Sequence, residues 1–523
     1  MKWQILGKSK TSITGITSIL LKNRNIKNEK EFFNPKPPKS PKLNYKKAIA
    51  RIKKAKKNKE DVVVYGDYDA DGICATAILW EALHKFGLNV LPHIPDRFSE
   101  GYGINTKSVI NLKSKIVNLS LIITVDNGIV AFEGIKKAKE LGIDVIVLDH
   151  HQLGSKIPKA CSVIHTPLVC GSALAYFFSK ELGFDDGLDL AAIGTIADQM
   201  PLQKINRSIV KYGLAELNKT KRIGLRTLFN DLQIENIGTY EVNYIIAPRI
   251  NAMGRLAHGL DSLRLLCTTK VDRAFELSKL LTKTNSERQK IVDEVVIHTR
   301  ENVTKQKVIV IADATYHEGV IGLAAGKLVE EFYRPAIVIS KKGKIAKASA
   351  RSISGFNIIE AIKAVNLHAE GGGHPMAAGF SIETSKIEEF TLRINKYADE
   401  LLSDEILERK LKVDMELNFG QLTHELLAIL DQFNPTGLGN PGPTFVSKKV
   451  EVLEVKTVGR DAKHLKLKLK QDEKVFDAIW FNATVSRIPS TSHQLIDIVY
   501  CLESNTWNGN SNLQLKIKDI KVI

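Results

Sequence analysis

Cysteine is scarce in this sequence and never paired. The five present in 523 residues, Cys74, Cys161, Cys170, Cys267 and Cys501, stand far apart and form no CxxC motif, which argues against a zinc ribbon and against a disulfide framework. No apolar run approaches bilayer-spanning length, and the first twenty residues lack the apolar centre of a secretory signal. The expected location is therefore the cytoplasm, with no membrane partner. Acidic residues are nearly missing at the start: residues 1–60 hold 18 Lys and Arg against three Glu, which accounts for almost all of the formal net charge of +17. Such an imbalance directs attention to a polyanionic partner. A cluster such as Lys53-Lys54-Ala55-Lys56-Lys57 also fits the solvated face of a helix whose apolar side is Ala48, Ile49 and Ile52.

What is present reads as an ordinary globular protein, with 44% hydrophobic and 25% charged residues, too long for one core and divisible into three or four domains. The chain is organised around Asp61-Val62-Val63-Val64-Tyr65-Gly66-Asp67-Tyr68-Asp69-Ala70-Asp71-Gly72. A β-favouring run enters three aspartates at alternate positions, and a helical pattern (Ile73, Ala77, Ile78, Leu83) follows. One aspartate suffices to cap that helix. Three so close repel one another and call for cations.

Two further apolar runs end the same way, Leu121–Val125 in Asp126-Asn127-Gly128 and Val145–Leu148 in Asp149-His150-His151. The alternation of strand and helix from Tyr45 onward predicts a parallel α/β sheet, and loops after the carboxyl ends of parallel strands share one crevice. Asp67, Asp69, Asp71, Asp126, Asp149, His150 and His151 are expected to converge there. Asp198 is expected to join them from the end of an apolar helix, Leu190 to Ile196. Carboxylates with imidazoles and no thiolate suit Mn²⁺ or Mg²⁺, and their number allows two ions. A paired site of this kind points to hydrolysis of a phosphate ester.

Asp-Tyr-Asp-Ala-Asp-Gly at 67–72, Val-Asp-Asn-Gly at 125–128, Asp-His-His at 149–151 and Gly-Thr-Ile-Ala-Asp at 194–198 resemble the four motifs of the DHH phosphoesterase superfamily. Their order and context are similar to those of the bacterial single-stranded-DNA-specific 5′-to-3′ exonucleases. The resemblance implies that Asp69, Asp71, Asp126, His150 and Asp198 ligate the two divalent ions, with Asp67 beside them and His151 facing the scissile phosphate. Asp71, Asp126 and His151 are thereby the expected catalytic residues. Some relatives carry His where this chain has Tyr65, so one ion is expected either to have fewer protein ligands or to take Asp67.

Residues 210–300 read as helices interrupted by Pro248-Arg249-Ile250-Asn251-Ala252-Met253-Gly254-Arg255. Arg249, Asn251 and Arg255 there resemble a backbone-gripping segment, a use suited to bidentate guanidinium groups. A long helix, Asp272 to Thr304, is expected to bridge to a second, smaller α/β domain beginning near Lys307. Its Ser349-Ala350-Arg351-Ser352 segment and its Gly371-Gly372-Gly373-His374 loop resemble the DHHA1 domain that accompanies DHH domains. Ser349, Arg351, Ser352, Gly372, Gly373 and His374 are then expected to hold substrate phosphate opposite the metals. After Leu411, five strand-like segments predict a β-barrel of the OB type, with Lys466, Lys468 and Lys470 on its outer face. Trp480, Phe481 and Trp507 are read as core more readily than as stacking platforms.

The expected division is a basic helical lead-in at 1–43, a DHH domain at 44–215, a helical connector at 216–304, a DHHA1 domain at 305–405 and the barrel at 411–523. By resemblance the partners are single-stranded DNA and also single-strand-binding protein and a helicase. Two other functions fit parts of the pattern: a DHH enzyme acting on short oligoribonucleotides, cyclic dinucleotides or adenosine bisphosphate, and a non-catalytic replication scaffold. The barrel and basic start speak against the first, and the filled ligand positions against the second.

Overall fold

The first regular element is one that patterning does not announce: strand β1 (Lys2–Ile5). Two short helices follow, Ile13–Asn23 and Glu29–Phe33, begun by Ser12 and Asn28 side chains that accept from backbone N–H groups of the first turn. The computed structural model describes the chain apart from residues 11, 155, 304, 460–461, 484–493 and 508–509 and the side chains of 506, 507 and 510.

The first sheet contains β2 (Asp61–Tyr65), β3 (Asn89–His93), β4 (Leu119–Val125), β5 (Asp144–Asp149) and β6 (Ser162–His165), all parallel, in the order β3-β2-β4-β5-β6. Its central strands β2, β4 and β5 are almost continuously apolar because both faces are covered. Val62, Val64, Leu121 and Ile123 pack with Ile73, Ala77, Leu174 and Ile193 of the helices Ala70–Phe86, Gly171–Glu181 and Leu188–Ala197. Val63, Tyr65, Ile122 and Val145 pack with Val109, Leu112 and Ile135 from the opposite layer. The pairing of Tyr65 with Thr124, and of Val125 with Leu148, brings the three acidic strand ends to one edge.

The expected long helix runs from Val271 to Asn302, about 48 Å at 1.5 Å per residue. Leu277 and Leu281 lie in the first core, whereas Val295 and Val296 pack with Ile321 and Leu328 of the next domain. That domain is a mixed sheet of β7 (Ile309–Asp313), β8 (Ala336–Ser340), β9 (Ile345–Arg351), β10 (His368–His374) and β11 (Ala377–Glu383), in the order β10-β11-β9-β8-β7. Two local expectations fail. Residues 248–255 do not interrupt the helices but form one, Ala247–Leu256. Pro248 sits in its first turn, where the missing N–H has no intrahelical role. Gly371–His374 is not a loop but the exposed edge strand β10, ordered by its antiparallel pairing with β11.

Past β12 (Lys410–Val413) and the short β13 (Met415–Glu416), β14 (Phe445–Val458), β15 (His464–Gln471), β16 (Lys474–Phe481), β17 (Leu495–Trp507) and β18 (Asn510–Val522) close into a five-stranded barrel, with β17 pairing back onto β14. Leu465, Leu467 and Leu469 point inward, and Lys466 and Lys468 outward. Trp480 is buried, but the neighbouring Phe481 is 47% exposed, as strand alternation requires; the core reading fails for Phe481, and the Trp507 side chain lies outside those described. The lead-in belongs to this barrel. Ile16, Leu20, Leu21 and Phe32 enter its core, β1 pairs in parallel with β12, and buried Arg24 meets Asp414 at 2.9 Å.

Candidate metal centre and phosphate-binding face

The turn after β2 positions its three aspartates differently. Asp69 is the cap of the following helix and accepts from Gly72 N at 2.9 Å. Asp67 accepts from Tyr68 N at 2.7 Å. Asp71 reaches across to the start of Gly171–Glu181 and accepts from Gly171 N and Ser172 N at 2.7 and 3.0 Å, where the helix dipole favours an anion. Asn251 braces this turn by accepting from Ala70 N at 2.8 Å.

Asp126 leaves β4 with φ 62°, a left-handed conformation that aspartate tolerates better than most residues. Gly171 and Gly194 leave room around these carboxylates. A Cβ at Gly171 would lie 2.6 Å from Asp126 Oδ1, and one at Gly194 2.1 Å from Asp71 Oδ1. His150 Nε2 stands 3.1, 3.7 and 3.9 Å from oxygens of Asp126, Asp198 and Asp71. It is not aimed along a hydrogen bond to Asp126 Oδ1, which is buried without a donor.

Three overlapping sets have their ligand atoms within 4.8 Å of one another: Asp67, Asp69 and Asp126; Asp71, His150 and Asp198; Asp126, His150 and His151. Asp126 and His150 each belong to two of them. Tyr65 contributes no ligand atom, because its hydroxyl is turned to Gly103 O at 3.2 Å; Asp67 stands in the set instead.

Burial and mutual repulsion dominate the electrostatics. Burial and Asp69 push Asp67 well above the usual carboxylate range; burial and Asp71 raise Asp69; burial, then Asp71 and Asp69, push Asp126 well up and take Asp198 to about 8. Burial holds His150 below its ordinary value, so it is neutral and able to ligate. Among the described residues no Lys or Arg forms an ion pair with Asp67, Asp69, Asp71, Asp126 or Asp198. Crowded oxygen donors, one neutral imidazole, one orphaned oxygen and no thiolate fit hard divalent cations.

His151 is set apart from this group by Asp149. Burial alone would lower its pKa, but the bond from Nδ1 to Asp149 Oδ1 at 2.8 Å raises it to about 9. Asp149 is in turn fixed by the N–H groups of Ile129, His150 and His151. The outer nitrogen of this imidazolium lies 3.3 Å from the Tyr102 hydroxyl.

The second domain presents a complementary face. Cross-strand register puts His374, Ala377 and Arg351 in one row and Gly372, Gly379 and Ser349 in the next on the same face, with His374 two strand spacings, roughly 10 Å, from Arg351. Gly322 touches this floor, its absent Cβ falling 2.9 Å from Ser349 Oγ and 3.4 Å from Arg351 Nη2. Arg255 crosses toward it and donates to Gly319 O at 3.2 Å. Burial and the neighbouring Arg97, Arg288 and Arg351 bring Arg255 down to about 10.

The structure therefore gathers Ser349, Arg351 and Arg255 but leaves other candidates elsewhere. Ser352 is buried and donates to Phe356 O at 2.6 Å. Gly373 faces the opposite side of its strand from Gly372 and His374. Arg249 donates from Nη1 to Ile245 O at 2.7 Å and lies near Arg288. Sequence reasoning misses Arg97, Arg288 and Tyr102. Arg97 and Tyr102 lie in the loop after β3, whose carboxyl end opens on the same crevice, so the strand-end rule contained the signal. Arg97 stacks its guanidinium 4.3 Å from the Tyr68 ring centre.

Three family models match in this order: the DHH family N-terminal domain at 61–195, the DHHA1 domain at 305–400 and the RecJ OB domain at 413–519. The chain is 36% identical to the single-stranded-DNA-specific exonuclease RecJ of Bacillus subtilis over 91% of its own length and 63% of that protein's. It is 30% identical to the Haemophilus influenzae protein of the same name over 96% of both. Its fold superposes on RecJ of Thermus thermophilus in complex with Mn²⁺ with a TM-score of 0.85 at 27% identity, covering 99% of this chain and 79% of that one. The same protein in complex with Mg²⁺ gives 0.79. With two-sided coverage of a full-length relative and all three domain types in matching order, the chain belongs to the RecJ family.

Proposed function

We propose that this protein is a single-stranded-DNA-specific exonuclease that uses two Mn²⁺ or Mg²⁺ ions and removes nucleotides from the 5′ end. The observation that carries the reading is the single crevice in which Asp67, Asp69, Asp71, Asp126, His150 and Asp198 converge beside an arginine-lined face. Those six residues would hold the ions, with Asp126 shared between them. When bound, the ions supply charge stabilisation for the attacked phosphate and a nucleophilic water. His151, kept protonated by Asp149, offers its outer N–H to a phosphate oxygen. Arg351, Arg255 and Arg97 hold the adjoining phosphate through their guanidinium groups, Ser349 adds a hydroxyl donor, and together they fix the register of the bond to be cut. Gly372 and His374 extend that face, and Asn251 keeps the aspartate turn in place.

Charge complementarity and the attached barrel favour a polynucleotide over a dinucleotide substrate. We place the functional units at 44–215, 216–304, 305–405 and 411–523, with 1–43 joined to the last. The setting we propose is the cytoplasm, with single-strand-binding protein and a helicase as partners; among the described residues no helix is long and apolar enough to cross a membrane. Incubation with Mn²⁺ and strands labelled at the 5′ or the 3′ end, with duplex and RNA controls, tests the proposal. Immediate release of the 5′ label as mononucleotide from the single strand alone is expected. Release of the 3′ label first, or equal cutting of RNA, would overturn polarity or specificity.

A further inference from the structure

Between Asp198 and the barrel lies a cleft that the chemistry above does not use. Its volume is about 390 Å³, within the range of small-ligand sites. One wall is the segment that directly follows Asp198, including Gln199 and Met200, and the other is the turn at Thr436–Gly442 that leads into β14. The two walls are tied by Leu202 N donating to Leu438 O at 2.7 Å. The floor carries Tyr240 and Tyr244, 59% and 64% exposed, with ring centres 5.0 Å apart and planes tilted by 37°.

Tyr244 lies within one turn and Tyr240 in the short helix Thr239–Glu241 that runs into it. Val242–Ile246 is a π-helical turn whose Val242 and Ile246 are fully buried. Asn243, between them, accepts from Gln199 Nε2 at 2.8 Å, which fixes the tyrosine turn against the residue next to Asp198. π-turns of this kind recur at functional sites. Two exposed aromatic rings at stacking distance, flanked by amide groups rather than by charge, are the features that receive unpaired bases, since every base offers a π-face.

We infer that Tyr240 and Tyr244 form a base-stacking subsite that carries the single strand from the barrel to the metal centre. The inference rests on the function proposed above. One wall of the cleft includes Gln199, the residue next to the candidate ligand Asp198, and the other is the turn that leads into β14, which places the two rings between the candidate metal centre and the barrel. The subsite is indifferent to sequence, reads bases and not phosphates, and acts only on strands longer than the metal centre itself accommodates.

The test uses the full chain with Mn²⁺, a 20-nucleotide strand, a dinucleotide, and 20-mers in which one position at a time lacks its base. For Y240A/Y244A the ratio of KM for the 20-mer to KM for the dinucleotide should rise about tenfold or more, the range expected when base-stacking rings are truncated, whereas Y240F/Y244F should keep the parent ratio. In the parent, removing the base at one or two fixed distances from the cut end should weaken binding, and in Y240A/Y244A those positions should cease to differ from the rest. An unchanged ratio, an equal rise for both lengths, or base-removal effects that simply add to the mutation would overturn the subsite. A parent enzyme that cuts neither substrate would instead overturn the proposed function, so the two failures are distinct.

Discussion

Arg207 joins the first domain to the barrel with no acidic partner among the described residues. Its side chain is 1% exposed and donates five hydrogen bonds, all to carbonyls: Phe32 at 2.7 Å, Phe433 and Pro435 at 3.0 and 3.2 Å, and Gln432 and Asn434 at 2.9 Å each. The guanidinium also lies 3.9 Å from the Phe32 ring centre. Burial brings it from 12.5 down to about 10, so keeping the charge costs about 3 kcal/mol; both values exceed neutral pH, and the group stays charged. Five bonds from a charged donor contribute roughly 7–15 kcal/mol. Removing the guanidinium recovers the smaller quantity and forfeits the larger, so R207A should destabilise the junction by at least about 4 kcal/mol.

Fluorescence isolates this effect, because Trp3, Trp480 and Trp507 lie in the barrel and its attached strand and only Trp80 in the first domain. The fluorescence midpoint in urea should fall by about 2 M, taking a slope near 2 kcal/mol per molar. R207K keeps the charge but not the fork, and should fall between parent and alanine variant. A midpoint within about 0.5 M of the parent's for R207A would refute the reasoning.

D126N removes a carboxylate shared by two ligand sets and should lower kcat roughly a thousandfold, about 4 kcal/mol in the barrier. Calorimetry should show one Mn²⁺ binding event fewer, and retention of two would count against a bridging role. Mn²⁺ at a hundred times its dissociation constant should stabilise the protein by about 2.7 kcal/mol. Because the ions take the deprotonated carboxylates, and Asp198 sits at about 8 with Asp67 and Asp126 raised as well, affinity should rise with pH between 6 and 8, with protons released on binding. A pH-independent affinity between 6 and 8 would refute the coupling. Deleting residues 411–523 alone should expose Ile16, Leu20, Leu21 and Phe32, a loss of about 8 kcal/mol, and cause aggregation on size exclusion. Deleting residues 1–43 as well should prevent it, and equal behaviour of the two truncations would contradict the shared core.

The sheet and the convergence of acidic and imidazole groups at its edge were legible because their information is local. Val62 to Tyr65, Leu121 to Val125 and Val145 to Leu148 announce strands, and each ends in the side chains that matter. The barrel was legible for a similar reason, since Leu465, Leu467 and Leu469 alternate with lysines. What escaped depends on partners distant in sequence. His368-Ala-Glu-Gly-Gly-Gly-His374 has almost no β preference and becomes a strand only by pairing with β11. The 248–255 stretch looks broken by proline, but the proline falls at the one turn of a helix that accepts it. Arg97 carries only its place in a loop after a strand end and Arg288 no signature at all, and the fold brings both to Arg255.

The parallel pairing of Lys2 with Lys410 spans 408 positions. At roughly 5–20 residues added per second, the first strand leaves the ribosome about 20–80 s before its partner exists. Throughout that interval Ile16, Leu20, Leu21 and Phe32 have no barrel to enter, while the sheet that bears the candidate metal ligands is completed at His165, well before Lys410 is added. Synthesis thus exposes a sticky leading segment beside a domain that is finished earlier, which makes the nascent chain a natural client for chaperones.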